Sequence, residues 1–445
     1  MMADLETNKL KREVGILGVV TNVLSISIGS GIFLLPALVF VILGNGSILA
    51  YIFCGFIFLA LGLCFAEVSS RVTDTGGMYV YIERAFGPLA GFLSNSLYLF
   101  GVGVLACAAL LNAMADIAAT SFPVLGELWA RIGLFSVILG IISLLSVRGI
   151  KDSMIFVKIL TFTKVLAMLV LVTFGLSAIS LDNIIWKGFS EFSKIGEASL
   201  LLIFAFLGGE LALSVGGEMK NPKRTAPLGF VIGIFGVVLI FCLIHLAVQG
   251  VLGQTLIENQ EAPLAELAKN LAGNTGFLLI LFVSFIAVWS TFSSIFLLKN
   301  RILYAGAVDG ILPKVFAKLH PKYGTPAIAI VFLAILELLI AGTGSFRYLL
   351  ILVTGNSILI YLGVILAFFK FRITEKNPGP DLFKIKGGYF LGTFALIALI
   401  WVFFQLSQTE LLGIGLFVLI LSIIYQLIAF YKRKKPSINQ QITPL

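Results

Sequence analysis

Two ionisable residues lie far inside apolar stretches of the chain. Lys164 stands thirteen residues after Lys151, which is about 20 Å along a helix, and Glu210 directly follows Gly208-Gly209. A charge in hydrocarbon is unfavourable, so such residues favour a functional hypothesis. Either group could take up and release a proton, and Glu210 could attract an ammonium group. Structural alternatives stay open: Lys164 could snorkel or be a static packing residue, and Glu210 could hydrogen-bond unwound backbone.

Two glycine-rich sequences could interrupt the helices that carry such groups. The first is Gly29-Ser30-Gly31, followed by Pro36; the second is Gly208-Gly209, followed by Gly216-Gly217. In a membrane, unwound backbone is tolerated only where it is buried in protein or lines a cavity. Taken singly, each glycine sequence is also typical of close helix packing.

The composition of the chain indicates whether its surface faces water or lipid. The chain has 445 residues, of which 59% are hydrophobic and 12% charged, and its mean hydropathy is +1.07. A soluble domain carries about twice that fraction of charged residues. These values exclude a soluble enzyme, a disordered chain and a nucleic-acid binder, and they indicate a multi-pass membrane protein. The four cysteines lie in apolar stretches without a CxxC spacing, so we expect neither a disulfide nor a metal site.

The apolar runs predict an all-α protein with twelve transmembrane helices of about 20 residues or more. The predicted spans are 14–41, 47–70, 89–119, 129–147, 153–178, 197–216, 226–251, 276–304, 325–343, 347–369, 389–406 and 410–431. The termini and alternate loops hold 23 of the Lys and Arg residues, whereas the opposite loops hold three. This bias predicts a cell-membrane protein with both termini in the cytoplasm.

The positions of the two glycine sequences suggest an internal repeat. They fall in the first and sixth spans, which is the same place in two blocks of five. This pattern predicts inverted repeats over residues 13–178 and 197–371, with a binding site between discontinuous helices 1 and 6. Positive half-helix ends could hold a carboxylate there, and free carbonyls an ammonium group. Residues 387–431 would form helices 11 and 12, and residues 1–12 and 432–445 would form cytoplasmic tails.

The motifs along residues 13–370 resemble one transporter family. They are Gly29-Ser30-Gly31-Ile32-Phe33 with Pro36; Ala66-Glu67, Gly76-Gly77 and Phe86-Gly87-Pro88; Phe204-Ala205-Phe206-Leu207-Gly208-Gly209-Glu210 and Asn221-Pro222-Lys223; and Asp309-Gly310, Leu312-Pro313 and Gly324-Thr325-Pro326. This set is similar to the amino acid, polyamine and organocation transporter superfamily, which has the leucine-transporter type of fold. Around Glu210 the sequence looks most like the bacterial arginine/agmatine and polyamine exchangers.

The resemblance implies a secondary transporter that works by alternating access. It implies substrate contacts from Ser27, Gly29, Ser30, Gly31, Phe204, Ala205, Phe206, Gly208 and Ile295. Gating would involve Phe204, Phe206 and Glu218. Coupling would involve Lys164, whose ammonium would stand where sodium-coupled relatives bind sodium, and Glu210, which is implicated in proton-dependent substrate handling. Transport would therefore be sodium-independent, as proton symport or exchange, with no cofactor.

The side-chain positions depart from that exchanger group. The family's helix-six aromatic is Phe204 here, not Trp; a helix-eight aromatic aligns with Ile295; and a helix-three Asn aligns with Ala106. These differences favour a small or neutral amino acid as the substrate. A polyamine or basic amino acid antiporter is the alternative, which Glu210 supports. A membrane-embedded enzyme or a channel would need convergent catalytic groups or a continuous polar stripe, and we find neither. Protons and membrane lipid are the expected partners besides the substrate; the oligomeric state stays open.

Three further ionisable residues receive structural interpretations. Glu67 is predicted to pair with Arg71 one helical turn later. Lys299 lies near a predicted cytoplasmic helix end and is expected to snorkel, although a lysine facing the vestibule would favour anionic side chains. His245 is expected to be a core or lipid-edge residue rather than a proton relay.

Overall fold

A computed structural model describes residues 15–29, 31–72, 78–148, 166–185, 188, 192–210, 221–308, 312–374 and 382–434. Across these ranges the regular structure is helical and contains no strand. Seven segments are long and apolar enough to cross a membrane: Gly31–Arg71, Pro88–Ala119, Leu128–Arg148, Lys223–Ile257, Pro263–Val308, Phe346–Thr374 and Gln408–Phe430. The expectation of an all-helical membrane protein is confirmed, while the count of twelve crossings stays a prediction.

The described part of the first half of the chain has eight helices, and three of the six predicted spans there are single continuous helices. The helices are α1 Ile16–Ser27, α2 Gly31–Leu43, α3 Ser47–Arg71, α4 Met78–Phe86, α5 Pro88–Ala119, α6 Leu128–Arg148, α7 Leu166–Ser177 and α8 Phe192–Phe206. Spans 47–70, 89–119 and 129–147 coincide with α3, α5 and α6. The short α4 lies between spans.

The second half continues with six helices, one in each remaining predicted span. They are α9 Pro222–Leu252, α10 Pro263–Val308, α11 Ala327–Ala341, α12 Phe346–Thr374, α13 Gly388–Phe403 and α14 Gln408–Lys434. Helix α10 contains a kink, since Gly273 has a φ of 65°. The straight part after this kink matches the predicted span 276–304.

Both predicted interruptions coincide with a helix end. Helix α1 stops at Ser27, where Ile28 has a non-helical ψ of 67°, and α2 begins at Gly31. Helix α8 stops at Phe206, and Gly208 has a φ of 94°. A positive φ is accessible to glycine at little energetic cost because glycine has no Cβ. The backbone conformation of Gly208 therefore explains why the helix is interrupted at the second break.

Aromatic side chains fill the core around the two breaks. Phe58 of α3 stacks on Phe206 at 5.1 Å between ring centroids and meets Tyr361 of α12 edge-on at 5.9 Å. Helix α1 packs along α9, α2 along α8, and α5 along both α10 and α12. His245 of α9 is buried, as expected, and its Nε2 lies 3.1 Å from Gln249 Oε1. This packing surrounds the broken segments with continuous helices.

A buried ion cluster joins α3 to α12. Arg71 Nη2 donates to Glu67 Oε1 at 2.8 Å, which confirms the predicted pair. Arg372 of α12 donates to both carboxylate oxygens of Glu67, at 2.8 and 2.5 Å, and the Ile385 N–H donates to Oε2 at 2.8 Å. The Glu67 side chain is fully buried. The cluster therefore links three separate parts of the chain through one carboxylate.

Candidate functional site

A cavity of about 400 Å³ lies between the two helix breaks. Its walls come from α1, α2, α5, α8, α10 and α12. The predicted site residues that line it are Ser27, Gly29, Gly31, Phe204, Ala205, Gly208, Glu210 and Ile295. Residues of the two breaks, which lie 173 to 183 positions apart in the sequence, are thus brought together as the two glycine sequences predict.

Glycines allow the two breaks to touch each other. A Cβ on Gly208 would lie 2.6 Å from Ile26 Cγ2, and a Cβ on Gly209 would lie 2.7 Å from Ser27 Oγ. Both distances are shorter than carbon and oxygen atoms adopt in normal packing. The close contact of the two unwound segments therefore favours glycine at both positions, and the φ of 94° adds to this preference at Gly208.

The breaks present polar groups to the cavity. Ser27 Oγ is buried and has no hydrogen-bond partner among the described residues. The Gly29 N–H donates to the Ser27 carbonyl at 2.7 Å, and the Leu207 N–H donates to the Phe204 carbonyl at 3.3 Å. Buried polar groups in native proteins nearly always have partners. The substrate contact predicted for Ser27 stays a prediction, and the residue does line the cavity.

Glu210 is held in place at the second break. Its Oε1 accepts a hydrogen bond from the Tyr361 hydroxyl at 2.7 Å, and its Oε2 accepts one from the Gly208 N–H at 3.0 Å. The residue is 4% exposed and lines the cavity. Sequence reasoning missed Tyr361, because nothing in the sequence of α12 indicates that its hydroxyl contacts the break after α8.

The two predicted gate aromatics lie in different environments. Phe204 lines the cavity and meets Phe346 of α12 edge-on, with ring centroids 6.4 Å apart. Phe206 is fully buried away from the cavity, between Phe58 and Phe241. Residues two apart on a helix point about 200° from each other. One of the pair faces the cavity and the other faces the core.

Helix α5 contributes an irregular wall. Its segment Leu97–Val104 is π-helical, and π-helical turns are frequent at functional sites. Tyr98, Val102 and Gly103 from this segment line the cavity, together with Ala106. The alanine at position 106 thus lies at the site, as the alignment with the helix-three Asn implies.

Successive turns of α10 form the opposite wall. Thr291, Ser294, Ile295, Leu298, Lys299 and Ile302 line the cavity. Thr291 lies closest to the first break, since a Cβ on Gly29 would be 3.5 Å from Thr291 Cγ2. The cavity therefore extends from the first break toward the C-terminal end of α10.

The expectation that Lys299 snorkels is wrong. The residue is 2% exposed, lines the cavity and forms an ion pair with Glu337 of α11. The ring centroid of Phe296 lies 4.6 Å from its Nζ. The charge does not need to reach water because α11 supplies a carboxylate. Sequence reasoning missed Glu337, although it is the single ionisable residue in Ala327–Ala341 and an acid within an apolar helix is a usable signal.

Several predicted functional residues lie outside the described ranges. They are Ser30, Lys164 and Glu218, together with the second glycine pair Gly216-Gly217. The substrate contact of Ser30, the coupling role of Lys164 and the gating role of Glu218 stay predictions.

Comparisons with known proteins cover nearly the whole chain. A family model described as "Amino acid permease" matches residues 14–438. The serine/threonine exchanger SteT of Bacillus subtilis is 27% identical over 438 residues, covering 93% of this chain and 95% of the exchanger. The branched-chain amino acid permease BcaP of the same organism is 24% identical, covering 97% and 95%. Human large neutral amino acids transporter small subunit 2 is 26% identical, covering 96% and 82%.

Proposed function

Because the chain belongs to the amino acid permease family, we propose that it is a sodium-independent secondary transporter of small or neutral amino acids that works by alternating access. The observation that carries this proposal is the cavity of about 400 Å³ between two broken helices. Cavities between half-helices are where transporters of this architecture bind small charged groups.

The proposed membrane arrangement has twelve crossings and two inverted five-helix repeats, residues 13–178 and 197–371. Two observations support it: a helix lies within each predicted span, and Lys and Arg alternate between the two sets of loops. Both termini then lie in the cytoplasm. The breaks at Ile28 and Gly208 fall in the first helix of each repeat.

The breaks would hold the two charged groups that all α-amino acids share. Helix α2 begins at Gly31, which lines the cavity, so the N–H groups of its first turn would suit the substrate carboxylate. Carbonyls left free after α8 ends, together with Ser27 Oγ, would accept from the ammonium group. Phe204 would close over the bound substrate, and Glu218 would act at the gate on the other side.

Proton coupling is assigned to Lys164 and Glu210. Lys164 would replace the sodium ion of sodium-coupled transporters. Its deprotonation would reset the contact between the first and eighth predicted spans, 14–41 and 276–304. Protonation of Glu210 would remove one acceptor at the second break, where Tyr361 and Gly208 now donate to it. Both proton symport and exchange can use such groups.

The side-chain pocket favours a neutral substrate. The relatives include a serine/threonine exchanger and a branched-chain amino acid permease. Ile295 and Ala106 contribute apolar lining to the cavity at positions where the resembled exchangers carry an aromatic residue and an Asn. Glu210 is the feature that favours the alternative, a polyamine or basic amino acid antiporter, and the positive charge of Lys299 opposes it.

Uptake into liposomes tests the proposal. Purified protein in liposomes preloaded with unlabelled amino acids should take up a labelled neutral amino acid when choline replaces sodium. Strict sodium dependence would contradict the proposed role of Lys164. Competition by the twenty amino acids, agmatine, putrescine and GABA then distinguishes the neutral substrates from the cationic alternative.

A pair of lysine variants tests the coupling residue. Lys164→Ala should change the rate of uptake or its pH dependence far more than Lys158→Ala, since the second lysine lies nearer the predicted helix end. Equal, wild-type-like behaviour of both variants would indicate a static structural lysine.

A further inference from the structure

The loop between α10 and α11 carries basic side chains without acidic ones. Residues 312–326 have the sequence LPKVFAKLHPKYGTP, in which lysines recur every four residues at Lys314, Lys318 and Lys322. All three lysines are exposed, and none of them forms an ion pair with a residue that the structure describes. The loop therefore presents a positive charge that no carboxylate in the described ranges neutralises.

An exposed apolar side chain directly follows each lysine. Val315, Leu319 and Tyr323 are 41%, 48% and 38% exposed. The loop lies between the predicted spans 276–304 and 325–343, so contact with lipid along a transmembrane helix does not explain their exposure. Surfaces that bind at the boundary of a bilayer combine basic and apolar side chains in this way. The pattern therefore favours contact with a lipid surface.

The inner side of the loop is anchored, which fixes the orientation of the outer side chains. Phe316 packs against an apolar cluster from α5, α10 and α11, and its ring centroid lies 4.8 Å from that of Phe332. The Thr325 hydroxyl donates to the Val147 carbonyl of α6 at 2.7 Å, and the His320 N–H donates to the Thr325 carbonyl at 2.7 Å. The surface is preformed, so a ligand does not have to order the loop when it binds.

We propose that residues 312–326 bind anionic phospholipid headgroups of the cytoplasmic leaflet. This inference rests on the proposed membrane arrangement, which puts the loop in the cytoplasm, where the adjoining leaflet carries anionic lipids. The lysines contact the phosphate groups, and Val315, Leu319 and Tyr323 lie at the boundary with the acyl chains. Arg148 is exposed at the end of α6, beside the contact between α6 and the loop, and adds a further positive charge.

Thermal unfolding in detergent tests the lipid and the residues together. The full-length protein is titrated with short-chain dioctanoylphosphatidylglycerol, which is anionic, and with dioctanoylphosphatidylcholine, which has no net charge. We expect the anionic lipid to raise the unfolding temperature of the wild type more than the uncharged lipid does, because a ligand that binds the folded state stabilises it. Lys314→Gln/Lys318→Gln should need about tenfold more of the anionic lipid for half of the maximal shift, since each lysine near an anionic surface contributes several-fold to binding.

Two further variants separate the loop from other basic residues. Lys384→Gln/Lys386→Gln is the matched control, because both lysines are exposed and lie on the same predicted side of the membrane. They are followed by the buried Ile385 and by Gly387, so they lack the exposed apolar side chains, and this variant should match the wild type. Leu319→Ser should weaken the response to the anionic lipid several-fold, since its apolar contact with lipid is lost.

Native mass spectrometry counts the phosphatidylglycerol molecules that stay bound, and it should find fewer on Lys314→Gln/Lys318→Gln than on the control variant. The inference is overturned if the loop variant responds to the anionic lipid like the wild type, or if the control variant loses the response equally. It is also overturned if sn-glycerol 3-phosphate stabilises the wild type as strongly as the lipid does, which would indicate a site for soluble anions. Failure of the wild type to transport any amino acid would instead contradict the proposed function, and the lipid measurements decide the inference without transport.

Discussion

The hydroxyl of Tyr361 donates a hydrogen bond of 2.7 Å to Oε1 of Glu210, which ties α12 to the break after α8. The other carboxylate oxygen accepts from the Gly208 N–H, so one side chain joins a continuous helix to an unwound segment. A proton on Glu210 would change one of these acceptors into a donor. The conformation of the unwound segment after α8 is thereby linked to the protonation of Glu210.

Removal of the Tyr361 hydroxyl should weaken that link. Tyr361→Phe deletes a hydrogen bond to a charged group, an interaction of about 1.5–3 kcal/mol, and should slow uptake about tenfold. Glu210→Gln should weaken the pH dependence of uptake, since one of the two proposed titrating groups is gone while Lys164 remains. Uptake rates between pH 5 and 8, in about half-unit steps, measure both effects.

Tyr51→Phe is the matched comparison, because the Tyr51 hydroxyl is also buried but has no partner among the described residues. This variant should keep the wild-type rate and pH profile. If Glu210→Gln retains the pH dependence of the wild type, Glu210 is not the coupling residue.

A side chain at Gly208 should disrupt the break. Gly208→Ala forces alanine into a φ of 94° and places its Cβ 2.6 Å from Ile26, so we expect a loss of about 1–3 kcal/mol in stability and loss of uptake. Gly140→Ala lies in α6 with open space around the added Cβ and should be neutral or slightly stabilising. Thermal unfolding in detergent compares the two, and equal unfolding temperatures would argue against a constrained break.

Phe204 and Phe206 should differ in what their loss affects. Phe204→Ala removes a cavity wall and should raise the apparent KM several-fold with a modest decrease in unfolding temperature. Phe206→Ala empties a site between Phe58 and Phe241 and should cost about 3–5 kcal/mol in stability. Transport kinetics and unfolding are measured on the same preparations. An increase in KM confined to Phe206→Ala would mean that Phe206, and not Phe204, closes over the bound substrate.

The Glu67 cluster should be a major source of stability. Glu67→Gln leaves Arg71 and Arg372 without their buried carboxylate, and breaking a buried pair costs about 3–5 kcal/mol. Glu197→Gln breaks the exposed pair with Arg347 and should change stability by less than about 1 kcal/mol. Unfolding temperatures of the two variants in detergent measure this difference. Similar values would mean that the Glu67 cluster contributes little to stability.

Local sequence was sufficient to find the breaks and the part of the cavity lining that lies next to them. Glycine pairs interrupt a helix through their own backbone properties, so Gly29, Gly31 and Gly208 could be identified without knowledge of the packing. The helical repeat also separates Phe204 from Phe206, and a strict use of it would have assigned only one of them to the cavity.

Residues that act across helices could not be found in the same way. The partners Tyr361 and Glu337 lie 151 and 38 positions from Glu210 and Lys299, and each contact depends on which helices become neighbours. The same applies to Lys299, whose snorkelling was a reasonable expectation for an isolated helix.

The contact between the two breaks also constrains how the protein can change over evolutionary time. Gly208 meets Ile26, Gly209 meets Ser27, and a Cβ on Gly31 would lie 3.0 Å from Ala205 Cβ. A mutation that enlarges one member of a pair is tolerated only if its partner becomes smaller. Gly209 with Ser27, and Gly31 with Ala205, should therefore vary as pairs among descendants of this sequence, whereas Gly208 should stay glycine because its φ is 94°.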